Sequence, residues 1–120
     1  MKKEDNWYKN KRWKYIRGVV LRRDKYMDVY QKMYGKIREA TLVHHVFPRE
    51  EYPEYQYELW NLISLSIGSH NLMHDRNTNE LTEIGTDTLR RIARLNNIPI
   101  PEKYQKKKVR SGRRRYAPKV

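Results

Sequence analysis

The sequence predicts a small α+β domain in which two short strands and a helix follow one another, flanked by an N-terminal and a C-terminal helix. Two apolar runs, at residues 41–47 and 62–66, have the composition of strands. Apolar residues recur at helical spacing on either side of this unit. All four histidines of the 120-residue chain fall on the first strand or on the helix that follows the second.

The N-terminal helix is predicted at about residues 9–23. Trp13, Ile16 and Val20 recur at i, i+3 and i+7, and Lys and Arg occupy much of the remaining surface. Residues 26–34 mix aromatic and polar side chains without a clear period, so helix and strand both remain open there.

The first predicted strand covers residues 41–47 and ends at Pro48. A tyrosine-rich loop at 49–58 then leads through a turn at Trp60-Asn61 into the second strand. The loop tyrosines have two interpretations, packing in the core or stacking on nucleic-acid bases.

A short helix is predicted at about residues 69–75, with Ser69 as its N-cap. The C-terminal helix is predicted at about 86–96, before a Pro-containing segment. Residues 1–100 are therefore expected to form one domain, and residues 101–120 a basic tail that is disordered without a partner.

The charge distribution favours a phosphate-rich partner. The net charge is +13, of which residues 1–38 carry +9, residues 39–100 carry −4 and residues 101–120 carry +8. Two basic ends around a mildly acidic centre fit a nucleic acid gripped from both sides, and a solubilising charge excess is the alternative.

Several classes of protein are excluded or disfavoured by composition. The chain has no cysteine, so disulfides and thiolate metal sites are excluded. No apolar run approaches the roughly 18 residues that span a bilayer. The first residues lack the pattern of a secretory signal, so we expect a cytoplasmic protein without membrane contact.

The histidines form the pattern H-H-x15-N-x8-H-x3-H with Asn61. His70 and His74 are spaced i, i+4, so on a helix they share one face and can bind one metal ion. His44 and His45 are neighbours on a strand and should point to opposite faces. One can bind the metal while the other transfers protons, which suits metal-assisted hydrolysis.

The chain resembles the HNH endonucleases, the ββα-metal or His-Me finger nucleases found in phages and in colicins. The resemblance covers roughly residues 11–95 and implies a metal-dependent DNA endonuclease that leaves 5′-phosphate and 3′-hydroxyl ends. It is carried by the segments Ala40–Pro48, Trp60–Leu65 and Ser69–Arg76, and by Trp13-x3-Arg17 and Leu21-x-Arg23-Asp24-x-Tyr26.

The resemblance assigns His45 as the general base and Asn61 as the other catalytic-site residue, which pins the loop so that the base is aimed. It assigns His44, His70 and His74 as ligands of one divalent metal ion. Nitrogen ligands favour Zn²⁺, Ni²⁺ or Mn²⁺ over Mg²⁺. Nucleic-acid contacts are expected from Arg17, Arg22, Arg23, Arg49 and Arg76.

One departure from the family concerns a second zinc ion, which many members hold with two C-x2-C pairs. The corresponding positions here are Asp28, Gln31, Ser66 and Ser69, so we expect no structural zinc bound by four cysteines. We expect side-chain packing to replace it, by Tyr26, Tyr30, Met33, Tyr34 and Trp60.

Two alternative functions remain open at this point. The protein could be a nucleic-acid-binding protein with a purely structural metal, or a nuclease directed at RNA. The resemblance also implies a phage context, with the host cytoplasm as location and the packaging machinery as a candidate partner.

Overall fold

A two-stranded antiparallel sheet lies among four α-helices in the computed structural model, which describes residues 6–106. This arrangement confirms the predicted α+β class. The elements are α1 Lys11–Arg23, α2 Val29–Met33, β1 Leu42–His45, β2 Leu62–Leu65, α3 Ile67–Met73 and α4 Glu83–Leu95.

Capping residues fix both ends of helix α1. The Asn10 side chain accepts a hydrogen bond from the Trp13 backbone N–H, and Asp24 caps the C-terminus. Trp13 and Val20 are buried and Ile16 is half-buried, so the predicted apolar face is the one that packs. No helix in residues 6–106 is long and apolar enough to cross a membrane.

The β1–β2 pairing places His44 opposite Ile63 and His45 opposite Leu62. The loop between these strands packs its aromatic residues on Phe47, which is fully buried. Tyr52 and Tyr55 meet the Phe47 ring edge-on, with centroids 5.2 Å away in both cases. Core packing therefore accounts for these two tyrosines, rather than stacking on bases.

Helix α3 begins earlier than the sequence predicts, because its N-cap is Ser66 rather than Ser69. The Ser66 hydroxyl accepts a hydrogen bond from the Ser69 backbone N–H at 3.2 Å. Ser69 is thus inside the helix and is not the cap. Both serines suit an N-cap, and a long-range contact of Ser66 with Asp28 decides between them.

Helix α4 likewise begins earlier than predicted, with Thr82 as N-cap. The Thr82 side chain accepts a hydrogen bond from the Gly85 backbone N–H at 3.0 Å. The buried face of α4 completes the core with the sheet and α3. The buried apolar residues of this core are Val46, Phe47, Ile63, Leu65, Met73, Leu89, Ile92, Ala93 and Tyr104.

Tyr104 corrects the predicted end of the packed domain. Its ring is buried, its hydroxyl donates to Glu51 at 2.6 Å, and its carbonyl accepts from Arg90 at 2.8 Å. Packing therefore continues past residue 100, and Tyr104 belongs to the core although it lies within the predicted tail of residues 101–120. The rest of the predicted tail, residues 107–120, lies outside the described residues.

The packing that is predicted to substitute for a structural zinc is confirmed in part, because Tyr30, Met33 and Trp60 pack against the core. Tyr26 and Tyr34 are 49% and 64% exposed, so they do not supply the expected packing. A hydrogen-bond network also joins the four positions that the family resemblance aligns with cysteines, which are Asp28, Gln31, Ser66 and Ser69.

Candidate metal centre and active site

Three imidazoles meet between the sheet and α3. The ring centroids of His44 and His70, and of His44 and His74, are 5.3 Å apart, and those of His70 and His74 are 5.5 Å apart. One ring nitrogen from each residue lies within 4.8 Å of the other two. Since a metal–nitrogen bond is about 2.0–2.1 Å long, small side-chain rotations would let the three nitrogens share one ion.

Unsatisfied nitrogens make this cluster a fit for a metal ion. Nε2 of His44 and Nδ1 of His74 are buried, and neither has a hydrogen-bond partner in the described part of the chain. Buried polar atoms of this kind are costly unless something binds them. A divalent cation would satisfy both atoms together, while an aliphatic neighbour would satisfy neither.

Burial keeps the three imidazoles neutral, which is the form that binds a metal. Desolvation is the largest cause in each case, and it lowers the pKa of His70 and His74 and lowers the pKa of His44 well below its usual range. The charges of His70 and His74 lower the His44 pKa further, because three imidazolium ions this close would repel. Each ring therefore keeps a lone pair available at neutral pH.

Different elements position the three rings. His44 is held by β1 and His70 by α3, whereas His74 is the C-cap of α3 and has an extended backbone. His74 also pairs in a short bridge with Leu81, which fixes its backbone. The i, i+4 spacing still brings His70 and His74 together, although His74 lies one residue beyond the helix.

His45 lies in a different environment from His44, as alternation along a strand predicts. Its ring stacks on Trp13 with centroids 5.0 Å apart and planes at 22°. Trp7 and Tyr8 contact the same ring edge-on, at 5.7 and 6.3 Å. Aromatic side chains therefore enclose the imidazole, and Arg49 lies over the rings of Trp7 and Tyr8.

One hydrogen bond fixes which nitrogen of His45 carries its proton. Nε2 lies 3.1 Å from the Gln56 carbonyl oxygen, which can only accept, so Nε2 is the protonated nitrogen and Nδ1 keeps the lone pair. Desolvation lowers the pKa of His45 to about 4, with a further lowering from the Arg49 charge. The ring is thus a neutral proton acceptor across the physiological pH range.

Asn61 is fully buried, and its side chain forms hydrogen bonds with backbone atoms of the β1–β2 loop. Its side-chain oxygen accepts from the Phe47 N–H at 2.7 Å, and its amide donates to the carbonyls of Phe47 at 3.3 Å and Tyr55 at 3.2 Å. Tyr55 directly precedes Gln56, the residue that orients His45. This geometry fits the loop-pinning role, and it leaves the side chain away from the cavity lining.

A cavity of about 950 Å³ opens in front of the three clustered histidines. It is lined by all four histidines and by Arg49. The other candidate arginines differ in placement. Arg17 is half-buried on α1 and donates to the Thr41 carbonyl at 2.9 Å, while Arg22 and Arg76 are exposed. None of these three lines the cavity.

Arg23, the remaining arginine predicted to contact nucleic acid, forms several hydrogen bonds within the fold. Its guanidinium donates to the carbonyls of Leu59 at 2.9 Å and Leu62 at 2.7 Å. It also binds both carboxylate oxygens of Asp24, at 2.8 and 2.9 Å. These bonds tie the end of α1 to the start of β2.

The partners that surround His45 have little signature in the sequence. Trp7 and Tyr8 lie on a 3-10 turn at Asn6–Lys9, and the Gln56 contact uses the backbone. A backbone carbonyl leaves no signal in side-chain identity. The closely spaced aromatic residues at 7, 8 and 13 are the available signal, and they indicate an aromatic cluster without indicating what the cluster encloses.

Comparison with known proteins gives one relevant similarity. No protein-family model matches the chain, and no curated protein sequence does. The chain is similar to a crystal structure of the HNH endonuclease of the deep-sea thermophilic bacteriophage GVE2 with a manganese ion. The two are 29% identical, the match covers 54% of this chain and 71% of the phage chain, and the TM-score is 0.53.

The similarity in sequence and structure agrees with the histidine triad described above. It confirms both the resemblance that the motifs indicate and the α+β core of two strands and a helix. The chain is thus similar to a phage HNH endonuclease, and its α+β fold is consistent with the ββα-metal core.

Proposed function

We propose that the protein is a metal-dependent endonuclease that hydrolyses phosphodiester bonds in DNA. The observation that carries the proposal is the shared cavity, in which three neutral imidazoles, two of them with unsatisfied nitrogens, lie beside a fourth that is oriented to accept a proton. The similar phage protein is an HNH endonuclease with a manganese ion, which supports the same chemistry here.

His44, His70 and His74 are the proposed ligands of one divalent ion. Nitrogen ligands favour Zn²⁺, Ni²⁺ or Mn²⁺ over Mg²⁺. When bound, such an ion supplies positive charge that stabilises the phosphorane-like transition state and the leaving 3′ oxygen. The three rings contribute lone pairs and orientation, and their low pKa values keep protons from competing for those lone pairs.

His45 is the proposed general base. Nδ1 takes a proton from a water molecule as the water oxygen forms a bond to phosphorus and the bond from phosphorus to the 3′ oxygen breaks. The Gln56 carbonyl holds the Nε2 proton, so the ring cannot present the wrong nitrogen. Asn61 acts indirectly, because it fixes the loop that carries Gln56.

Arg49 is the proposed phosphate contact nearest to the reacting groups, since it lines the cavity and its guanidinium rests on two aromatic rings. Arg17, Arg22, Arg23 and Arg76 are proposed as outer contacts to the DNA backbone. The charge of the two ends of the chain, +9 and +8, supports binding through phosphates without sequence choice.

Cleavage of supercoiled plasmid tests the proposal. The pure protein is incubated with plasmid and Mn²⁺, Zn²⁺, Ni²⁺ or Mg²⁺ in turn, and the product ends are examined for 5′-phosphate and 3′-hydroxyl groups. His45→Ala should keep metal and DNA binding, while its cleavage rate should fall by about 10²–10⁴-fold. His44→Ala should bind metal poorly as well.

Two results would count against these roles. Cleavage by His45→Ala at the wild-type rate would leave a nucleic-acid-binding protein with a structural metal, or a different base. Faster cleavage of RNA than of DNA under identical metal and salt would establish the RNA-directed alternative. A role beside phage packaging machinery rests on family resemblance alone and needs a separate binding experiment.

A further inference from the structure

A buried carboxylate holds the N-terminus of the helix that carries two of the candidate ligands. Asp28 has no exposed surface. Its Oδ2 accepts from the Ser66 backbone N–H at 2.9 Å and from the Ser66 hydroxyl at 2.7 Å. Its Oδ1 accepts from the Gln31 backbone N–H at 2.9 Å, which caps α2. One side chain thus caps α2 and binds the residue that caps α3.

Two more side chains close this arrangement. The Gln31 amide donates to the Ser69 hydroxyl at 3.3 Å, and the Ser69 backbone N–H donates to the Ser66 hydroxyl at 3.2 Å. We call Asp28, Gln31, Ser66 and Ser69 the polar clasp. The clasp connects α2 to α3 through two residue pairs, Asp28 with Ser66 and Gln31 with Ser69. The members of each pair are 38 residues apart in the sequence.

Helix α3 depends on such contacts for its position. It has seven residues, and a helix this short is not stable on its own. At its N-terminus the His70 backbone N–H donates to the Ser66 carbonyl at 2.9 Å. At its C-terminus the Thr82 backbone N–H donates to the Met73 carbonyl at 2.9 Å. The clasp therefore fixes the N-terminal end of α3, and the position of that end determines where His70 lies.

The Asp28 carboxylate is charged in this environment. Burial is the largest single influence and raises its pKa, but the hydrogen bonds from Ser69, Gln31 and Ser66 together outweigh it, so the pKa is lowered. A charged acceptor makes shorter and stronger hydrogen bonds than a neutral one. Removing the charge should loosen the contact with Ser66 before anything else in the fold.

We infer that Asp28 is a positioning residue for the metal centre, which acts by fixing Ser66 and thereby the place of α3, the helix that carries His70 and ends next to His74. This inference rests on the proposed metal role of the histidine triad. It adds a requirement that the triad itself does not contain, because Asp28 lies on the segment before α2 and is absent from the cavity lining.

Asp28→Asn tests the inference with almost no change in shape. Asparagine has one acceptor oxygen where the carboxylate has two, so the hydrogen bonds to Ser66 and to the Gln31 N–H cannot all form. Zn²⁺ and Mn²⁺ affinities are measured by titration calorimetry, at a temperature where circular dichroism shows wild type and variant equally folded. Affinity should fall about 10- to 100-fold, as for other groups that orient metal ligands indirectly.

Three further variants make the result decisive. Glu54→Gln removes the same charge from an exposed site and should leave affinity within about twofold of wild type. Ser66→Ala removes the hydroxyl and should weaken metal binding. Ser66→Thr keeps the hydroxyl and should bind metal with an affinity close to that of wild type. The two Ser66 variants decide the matter if Asp28→Asn does not fold.

The possible failures are distinguishable. If folded Asp28→Asn binds metal as tightly as wild type and only its melting temperature falls, Asp28 stabilises the fold without positioning the site. Equal affinities for Ser66→Ala and Ser66→Thr would also overturn the inference. If wild type itself binds no metal, the proposed function fails before Asp28 is tested.

Discussion

The Trp13 ring lies parallel to the His45 imidazole, 5.0 Å from it, and separates that imidazole from solvent on one face. Because desolvation is the largest cause of the low His45 pKa, of about 4, this contact should control the pH range of activity. The cleavage rate at saturating metal should be level near neutral pH and fall as the pH approaches 4, because the protonated ring cannot accept a proton.

Trp13→Ala should move that acid limb to higher pH. Water reaches the ring, its charged form is better solvated, and its pKa rises toward the ordinary value of 6.5. The measurement is kcat/KM against pH for variant and wild type, at a temperature where both are folded, since truncating a buried aromatic costs about 3–5 kcal/mol. An acid limb at the wild-type position would show that Trp13 does not set the pKa.

Removing the metal should make stability depend on pH. The pKa values of all four histidines are lowered by folding, so the unfolded chain binds more protons below its own pKa of 6.5. Stability is therefore fully present above pH 6.5 and falls as the pH drops through the folded values. His44 alone can contribute up to about 1.4 kcal/mol per pH unit in this window.

Thermal unfolding in the presence of a chelator, between pH 8 and pH 5, measures this effect. His44→Gln serves as the control, because it removes the most strongly shifted group while keeping a polar side chain. Its melting temperature should change less with pH than that of wild type. Parallel curves for the two proteins would contradict the assignment of the effect to His44.

Gly85 should tolerate no side chain. A Cβ atom there would lie 2.3 Å from the Met73 carbonyl oxygen, and that oxygen belongs to the backbone next to His74. Gly85→Ala must therefore push α4 away from the end of α3, at a cost of about 1–3 kcal/mol or more. The metal affinity of this variant should fall together with its stability, because the Leu81 bridge that holds His74 lies at the same junction.

Gly68→Ala is the matched control, since it adds the same methyl group in open space on α3. The nearest atom to its Cβ would be the Ser66 hydroxyl, at 4.0 Å. It should leave metal affinity unchanged and raise stability by about 0.5–1 kcal/mol, because alanine loses less conformational entropy in a helix. Both melting temperature and metal titration are measured, and equal behaviour of the two variants would contradict the prediction.

Deleting residues 107–120 should weaken DNA binding without unfolding the domain. The segment holds seven Lys and Arg residues, and the cut leaves the buried Tyr104 in place. The slope of log affinity against log salt should fall by about 0.9 for each phosphate that the shortened chain no longer neutralises. A second variant with these seven residues changed to Gln keeps the length, and an unchanged slope in it would show that their charge is not used.

The strand–strand–helix order and the pairing of His70 with His74 could be predicted, because periodicity and spacing are local properties of the sequence. The choice of His44 as the third ligand rested on the family resemblance. The clasp could not, since Asp28 looks like an ordinary polar residue until folding brings Ser66 to it. For the same reason the sequence gives no sign that Arg23 bonds carbonyls 36 and 39 residues away. Contacts of this range have no signature in one sequence.

Because hydrogen bonds hold the polar clasp together, the junction between α2 and α3 does not need a metal ion to fold, whereas the proposed cleavage reaction does. Oxygen and amide groups join α2 to α3, so neither a chelator nor a thiol-modifying reagent acts on that junction. Withdrawing the divalent ion should then silence cleavage while leaving a folded domain that recovers as soon as ion is returned. Under the proposed function, the protein could be stored and handled in an inactive state, and metal supply would serve as a reversible control over cleavage.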